Sequence, residues 1–203
     1  TEYEYEILER VLNKNKSLGL DYSSHDFYVD NQGRSPENLH HYYRDLQDKL
    51  AFHQKKLSHM VKESNNYQKQ KIIIARIHEK IANQRKDFIE KESTKLSQLY
   101  DIVCLEDINL RNISQSLKLG KSTLDNGFGM FRVRLEQKMS LEGKKVVKID
   151  KWFPSSKMCR FCGCVNKNLK LSDRVWTCEC GAVLNRDENA AINILNEGLK
   201  QLA

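Results

Sequence analysis

The fold class this sequence predicts is an α/β domain interrupted by a long helical hairpin, with a small cysteine-rich metal module before its last helix. Three observations carry that expectation. Short strand-like runs recur at residues 16–22, 26–31, 100–106 and 145–150. Between the second and third of these, residues 36–100 place apolar side chains at heptad spacing. Five of the six cysteines then crowd into residues 159–180.

Taken in order, Tyr3, Tyr5 and Ile7 alternate with Glu2, Glu4 and Glu6 in residues 1–12, the period of a strand. Residues 16–22 and 26–31 follow as a hairpin with a turn at Gln32-Gly33, and Asp21 stands near the end of its first strand. Leu39, Tyr43, Leu46, Leu50, His53, Leu57 and Met60 then form a seam that Asn65-Asn66 is expected to break. Ile74, Ile77, Ile81, Phe88, Leu96 and Leu99 resume it, which predicts two antiparallel helices packed on each other. Residues 100–106 make a continuous apolar run ending in a carboxylate, as a buried strand does. A helix is expected over 123–141, with Leu124, Phe128, Phe131, Leu135 and Met139 on one face and Gly143 at its end. A strand over 145–150 and an amphipathic helix over 185–199, with Ala190, Ile194 and Leu195 facing in, complete the chain.

Composition narrows the function classes. Of the 203 residues, 39% are hydrophobic and 30% charged, and mean hydropathy is −0.67. No apolar run approaches the roughly 20 residues of a membrane-spanning helix, and the acidic start lacks the features of a signal peptide. The expectation is a cytoplasmic protein with no membrane partner. A formal net charge of +7 and a pI near 9.0 favour a polyanionic partner, because cations that neutralise phosphates release condensed counterions. In a reducing compartment the cysteine cluster points to a metal before disulfides.

Three carboxylates hold comparable positions far apart in the chain. Asp21 and Glu106 end strands, and Asp187 opens the last helix. Carboxylates at strand ends can converge on one sheet edge, where Mg²⁺, or Mn²⁺, needs only two or three of them beside water. Most of the 27 acidic residues are solvated surface charges. Asp150 also ends a strand and is the substitute for Asp187, while Asp26 and Asp30 either supply a spare ligand or face solvent. Asp107 points to the opposite side of its strand from Glu106.

Cys159-Arg160-Phe161-Cys162 is a metal knuckle, and Cys178-Glu179-Cys180 is its partner, one residue tighter. Four thiolates holding one structural Zn²⁺ are the simplest solution. Cys164 either displaces Cys162 or Cys180 or stands by. Lys151, Trp152, Lys157, Arg160, Lys170, Arg174 and Arg186 around the module are candidates to grip phosphates or stack on bases. Trp176 is expected instead in the module's own small core.

Four runs together resemble the TnpB (OrfB) family of bacterial insertion sequences, which is similar in turn to compact type V CRISPR effector nucleases. They are Gly19-Leu20-Asp21, Leu105-Glu106-Asp107-Ile108-Asn109, Pro154-Ser155-Ser156-Lys157-Met158-Cys159 and Asn185-Arg186-Asp187-Glu188-Asn189-Ala190-Ala191. The resemblance implies a RuvC-like domain of the RNase H class over 13–151 and 184–203. The helical hairpin of 36–100 interrupts that domain, a zinc ribbon occupies 152–183, and residues 1–12 form the tail of an N-terminal domain. It implies Asp21, Glu106 and Asp187 as the catalytic ligands of two Mg²⁺ ions, and Cys159, Cys162, Cys178 and Cys180 as ligands of one zinc. It further implies DNA cleavage directed by a guide RNA, in the prokaryotic cytoplasm, with a full-length or N-terminal chain as a further partner. The alternative is a non-catalytic DNA- or RNA-binding or regulatory fragment of such a nuclease.

Overall fold

A computed structural model describes residues 10–37, 42–108 and 127–202. Four strands form the central sheet: β1 (Ser17–Ser23), β2 (Phe27–Asp30), β3 (Ile102–Glu106) and β4 (Lys145–Ile149), in the order β2-β1-β3-β4. β1 and β2 are an antiparallel hairpin, whereas β1 with β3 and β3 with β4 run parallel. The central parallel strand β3 is nearly continuous in apolar residues because helices cover both of its faces.

Side-chain alternation sorts the strands between two cores. Leu18, Leu20, Val103 and Leu105 point toward α2 (Asn65–Leu99) and α3 (Phe128–Leu141). There they meet Phe88, Ile89 and Leu96 of α2, and Phe128, Phe131, Leu135 and Met139 of α3. Ile102, Cys104, Val147 and Ile149 point the other way, onto Ile194, Leu195 and Leu199 of α4 (Arg186–Lys200). Burial pushes the Cys104 thiol up to about 12, as befits a small core hydrophobe.

The helical hairpin consists of α1 (Tyr42–Ser58) and α2. Asn65-Asn66 marks the break in the seam expected of it, at the boundary between the two helices. It opens α2, whose N-cap Ser64 accepts the backbone N–H of Tyr67 at 3.2 Å. α1 packs on α2, with Gln70 donating to the His53 carbonyl at 3.0 Å, while the far half of α2 packs on α3. Lys138 of α3 fastens that second contact, reaching Glu90 O, Ser93 Oγ and Thr94 Oγ1 at 2.7–2.8 Å. Leu99 departs from the stripe and is 53% exposed, because α2 ends there and the chain turns into β3.

A separate two-stranded sheet, β5 (Val175–Thr177) with β6 (Val183–Asn185), forms the cysteine module with the loop from Pro154. Trp176 is 7% exposed and packs with Leu169 and Leu184 there, the core role expected of it. Residues 10–12 lie in no strand, and the rest of the strand expected over 1–12 lies outside the described residues, as do Leu39 and Leu124.

Candidate metal centres

Parity brings the first two carboxylates to the same side of the sheet. Gly19 and Cys104 lie beneath α4, so Asp21 and Glu106, each two residues further along its strand, share that side. The β1–β3 register ends with Leu20 opposite Leu105, and one step further sets Asp21 beside Glu106. α4 then delivers Asp187 in its first turn, where Asn185 caps the helix by accepting the Asp187 and Glu188 N–H groups at 3.1 and 3.2 Å. Asp21, Glu106 and Asp187 line one open cavity of about 440 Å³ with Ser155, Arg174 and Arg186.

α4 can lie this close because two glycines leave room. A Cβ on Gly19 would collide with the Ala191 carbonyl oxygen and fall 2.8 Å from Leu195 Cβ. On the α4 side, a Cβ at Gly198 would collide with Cys104. Glycine at these crossings sets the height of α4, and so of Asp187, over the strand ends.

The neighbouring carboxylates raise the affinity of Asp21 for protons. Burial pushes the Asp21 pKa well above its ordinary value, the charges of Glu106 and Asp187 push it further, and Arg186 opposes them. Burial also raises Glu106, opposed by a hydrogen bond that the Ser155 hydroxyl donates. Asp187 accepts from Arg174 at 2.7 Å and from Arg186 at 2.9 Å. Two half-buried carboxylates with raised affinity for protons, open to a cavity, suit a hard divalent cation that would replace the protons.

Ser155 was not singled out from the sequence, yet the structure wires it to both centres. Asn193 donates to the Ser155 carbonyl at 2.8 Å and to the Met158 carbonyl at 2.7 Å. Asn189 donates to Met158 O at 2.7 Å and accepts the Arg160 N–H at 3.1 Å. Two buried amides of α4 thus hold the five residues between the Glu106 hydrogen bond and the first cysteine. An amide two residues and another six residues after Asp187, on an otherwise apolar helix face, was the available signal.

The four cysteines close more tightly than the carboxylates. Cys159, Cys162, Cys178 and Cys180 place their sulfurs within 4.8 Å of one another, with Cys159–Cys180 at 3.8 Å and Cys162–Cys178 at 3.5 Å. Thiolates around one tetrahedral Zn²⁺, with Zn–S of about 2.3 Å, stand about 3.8 Å apart, so this set fits a single metal ion. Burial acts to raise the Cys159 thiol, but the N–H groups of Cys162 and Phe161 hold it down to about 7. The N–H of Cys180 favours the Cys178 thiolate, yet burial and the crowding sulfurs push it up to about 12. Sulfurs this close do not all ionise without a cation. Cys164 is exposed and outside the set; its carbonyl accepts the Cys159 N–H at 2.9 Å. Among the described residues, no group of three or more acids reaches the same closeness.

The remaining candidates fall into three groups. Arg174 and Arg186 line the carboxylate cavity. Arg160 is engaged with Glu188 at 2.7 Å and lies over the Phe161 ring. Lys151, Trp152, Lys157 and Lys170 are exposed, with the Lys151 ammonium 5.2 Å from the centre of the 81%-exposed Trp152 ring. Of the substitute ligands, Asp30 does not face solvent. It is 5% exposed and tied to Arg34, with the Gln32 and Arg34 N–H groups donating to it. Asp107 turns away to Arg132 at 3.0 Å, and Asp150 accepts the Trp152 N–H at 2.8 Å.

The mixed α/β fold of this chain resembles that of Cas12f. A solved complex of Cas12f1 with sgRNA and target DNA matches it with a TM-score of 0.65 at 18% identity, over 93% of this chain and 40% of that one. Residues 1–117 match the OrfB_IS605 family model, described as "Probable transposase", and residues 128–194 match the Cas12f1-like TNB domain. The chain belongs to this TnpB-like family. A Streptomyces pristinaespiralis protein named "Putative RNA-guided DNA endonuclease" is 39% identical over 90% of this chain and 45% of its own length. InsQ of Escherichia coli, which carries the same description, is 34% identical over 79% and 44%. The chain therefore spans less than half the length of these relatives.

Proposed function

We propose that this chain is the catalytic half of an RNA-guided DNA endonuclease, with a RuvC-like, RNase H-class nuclease domain and a zinc ribbon. The observation that carries the reading is the placement of Asp21, Glu106 and Asp187 around one open cavity. Asp21 feels the charges of both other acids, and the three would together hold the Mg²⁺ or Mn²⁺ ions. Ions bound there supply an activated water and charge stabilisation for a departing 3′ oxygen.

The chain's own residues do the rest. Ser155 orients the Glu106 carboxylate, held in turn by Asn193. Arg174 and Arg186 neutralise Asp187 and lie where a phosphodiester would meet the cavity. Cys159, Cys162, Cys178 and Cys180 would hold one Zn²⁺ with a filled shell, a structural rather than catalytic centre. Both named relatives are described as RNA-guided DNA endonucleases and the Cas12f1 complex contains guide and target, which supports DNA as substrate and RNA as guide here.

The test is cleavage of labelled single-stranded and duplex DNA by the chain with Mg²⁺ or Mn²⁺, beside Asp21→Ala. The expected result is loss of cutting by about 10³-fold or more in the variant, since several kcal/mol of charge stabilisation would leave with the ions that Asp21 helps to hold. Mn²⁺ binding, read by titration calorimetry, should weaken in parallel. Wild-type cutting by Asp21→Ala would overturn the assignment. A wild-type chain that binds DNA and Mn²⁺ but never cuts would favour the binding-fragment reading.

A further inference from the structure

We propose that Arg132 of α3 is a positioning residue for the carboxylate cavity, acting through the end of β3 from the opposite face of the sheet. The proposal rests on the reading of Asp21, Glu106 and Asp187 as metal ligands, and concerns what aims one of them. Glu106 is the last residue of β3. The parallel register with β1 stops at Leu20 and Leu105, whereas that with β4 still includes Glu106 and Ile149. A strand end paired along one edge frays unless the chain beyond it is gripped.

Arg132 supplies that grip. Its side chain is 13% exposed, and its two terminal nitrogens take different partners. Nη1 donates to the Ile108 carbonyl at 2.9 Å, and Nη2 donates to the Asp107 carboxylate at 3.0 Å. The Asp107 N–H donates in turn to the Ile149 carbonyl at 3.0 Å, which extends the ladder one residue past Glu106. The residues that follow Glu106 are thus held through backbone and side chain together, and Ile108 itself lines the cavity. Alternation converts the grip into aim. Asp107 shares the side of Val103 and Leu105, where α3 packs, so Glu106 faces the other way, toward Asp21 and Asp187. Ser155 then holds the Glu106 carboxylate from the ribbon side.

An ion pair alone would not carry this. The Asp107 side chain is 63% exposed, and such pairs contribute little by themselves. The carbonyl contact is the one that fixes the backbone, and a planar guanidinium can meet carbonyl and carboxylate at once where an ammonium cannot. Lys138, on the same helix, makes the contrast. Its partners Glu90, Ser93 and Thr94 all belong to α2, and none of them lines the cavity. One cation of α3 fastens the hairpin, and the other fastens the site.

The test uses the zinc-loaded chain with Mn²⁺ alone as the probe, titrated by calorimetry beside Asp21→Ala to identify the ions held at the carboxylates. Arg132→Met removes both contacts, Arg132→Lys keeps the charge without the fork, and Lys138→Met removes the cation that faces α2. Mn²⁺ affinity should fall about tenfold or more in Arg132→Met, the loss that follows when a group supporting a metal ligand is removed. Arg132→Lys should lose less. Amide exchange at Asp107 should quicken about tenfold in Arg132→Met, as the strand end opens more often. Lys138→Met should melt lower, with Mn²⁺ affinity and Asp107 exchange at the wild-type level. Wild-type Mn²⁺ affinity or unchanged Asp107 exchange in Arg132→Met would overturn this proposal alone. An equal loss of affinity in Lys138→Met would do the same, since the effect would then be a general loosening of α3. Where Arg132→Met does not fold, Arg132→Lys decides: weaker Mn²⁺ binding at unchanged melting supports the proposal, and wild-type affinity overturns it. A wild-type chain that binds no more Mn²⁺ than Asp21→Ala would overturn the metal-ligand reading and this proposal with it.

Discussion

The cysteine ribbon and the carboxylate cavity are built by opposite strategies. Each cysteine pair lies within four residues of chain, the second pair in the turn between β5 and β6, and the four sulfurs close to within 4.8 Å. The carboxylates come from β1, β3 and α4, separated by 85 and 81 residues, and remain further apart around an open cavity. A structural metal is served by a local cage that fills its own shell. An open site of the kind proposed for the carboxylates leaves positions free, and here it is drawn from elements that meet across the fold. The loop Ser155–Cys159 joins the two, held by Asn189 and Asn193 of α4.

That link can be broken from the ribbon side, where the largest effect is expected. Cys159→Ser should release the metal and melt the β5–β6 hairpin. Structural zinc contributes roughly 10–16 kcal/mol to small metal modules at neutral pH, more than this one can supply by packing Trp176 and Leu184. Zinc analysis and the Trp176 fluorescence would report it. If the two centres are mechanically joined through Ser155, Mn²⁺ affinity at the carboxylates should fall as well. A ribbon lost without any change in Mn²⁺ affinity would show the centres to be independent.

The carboxylate side can be disturbed without touching a ligand. Gly19→Ala inserts a methyl where the Ala191 carbonyl already lies, so α4 must lift from β1. Overpacking of this kind costs about 1–3 kcal/mol, and Asp187 moves with its helix. The expected outcome is a lower melting temperature together with weaker Mn²⁺ binding, while zinc content stays at one per chain.

The smallest effect sharpens the comparison through pH. Burial raises both Asp21 and Glu106 above the ordinary carboxylate range, so the folded chain binds these protons more tightly than the unfolded one. Stability then falls as pH rises from ordinary carboxylate values through the raised ones. Asp21→Asn removes one of these charges. The metal-free variant should melt higher than wild type at neutral pH, and the gap should close below about pH 4, where both forms are uncharged. Saturating Mn²⁺ should stabilise wild type more than the variant, since only wild type keeps all three carboxylates at the cavity.

Much of this could be read from the chain alone, wherever the determining contacts are close in sequence. The knuckles at Cys159/Cys162 and Cys178/Cys180 are turn chemistry. The heptads of α1 and α2 and the apolar run of β3 are periodicities that local burial imposes. Such signals blur at edges: Asn65-Asn66 reads as a break because asparagine favours helix ends, and whether it closes one helix or opens the next depends on Ser64 beside it. Strand-end position nominated Asp21 and Glu106, but the sequence contains nothing that says β1 and β3 are neighbours in parallel register, or that both acids face α4. Only the tertiary structure decided that Asp30 is held by Arg34, that Arg174 and Arg186 pair with Asp187, and that Ser155 touches Glu106. It also decided why residue 19 is glycine, which the strand pattern alone does not explain. The reason is physical: hydrophobic periodicity specifies which face of an element is buried, whereas the partner it meets, the register and the closeness of approach are set by side chains distant in sequence, and a site assembled across elements inherits all three.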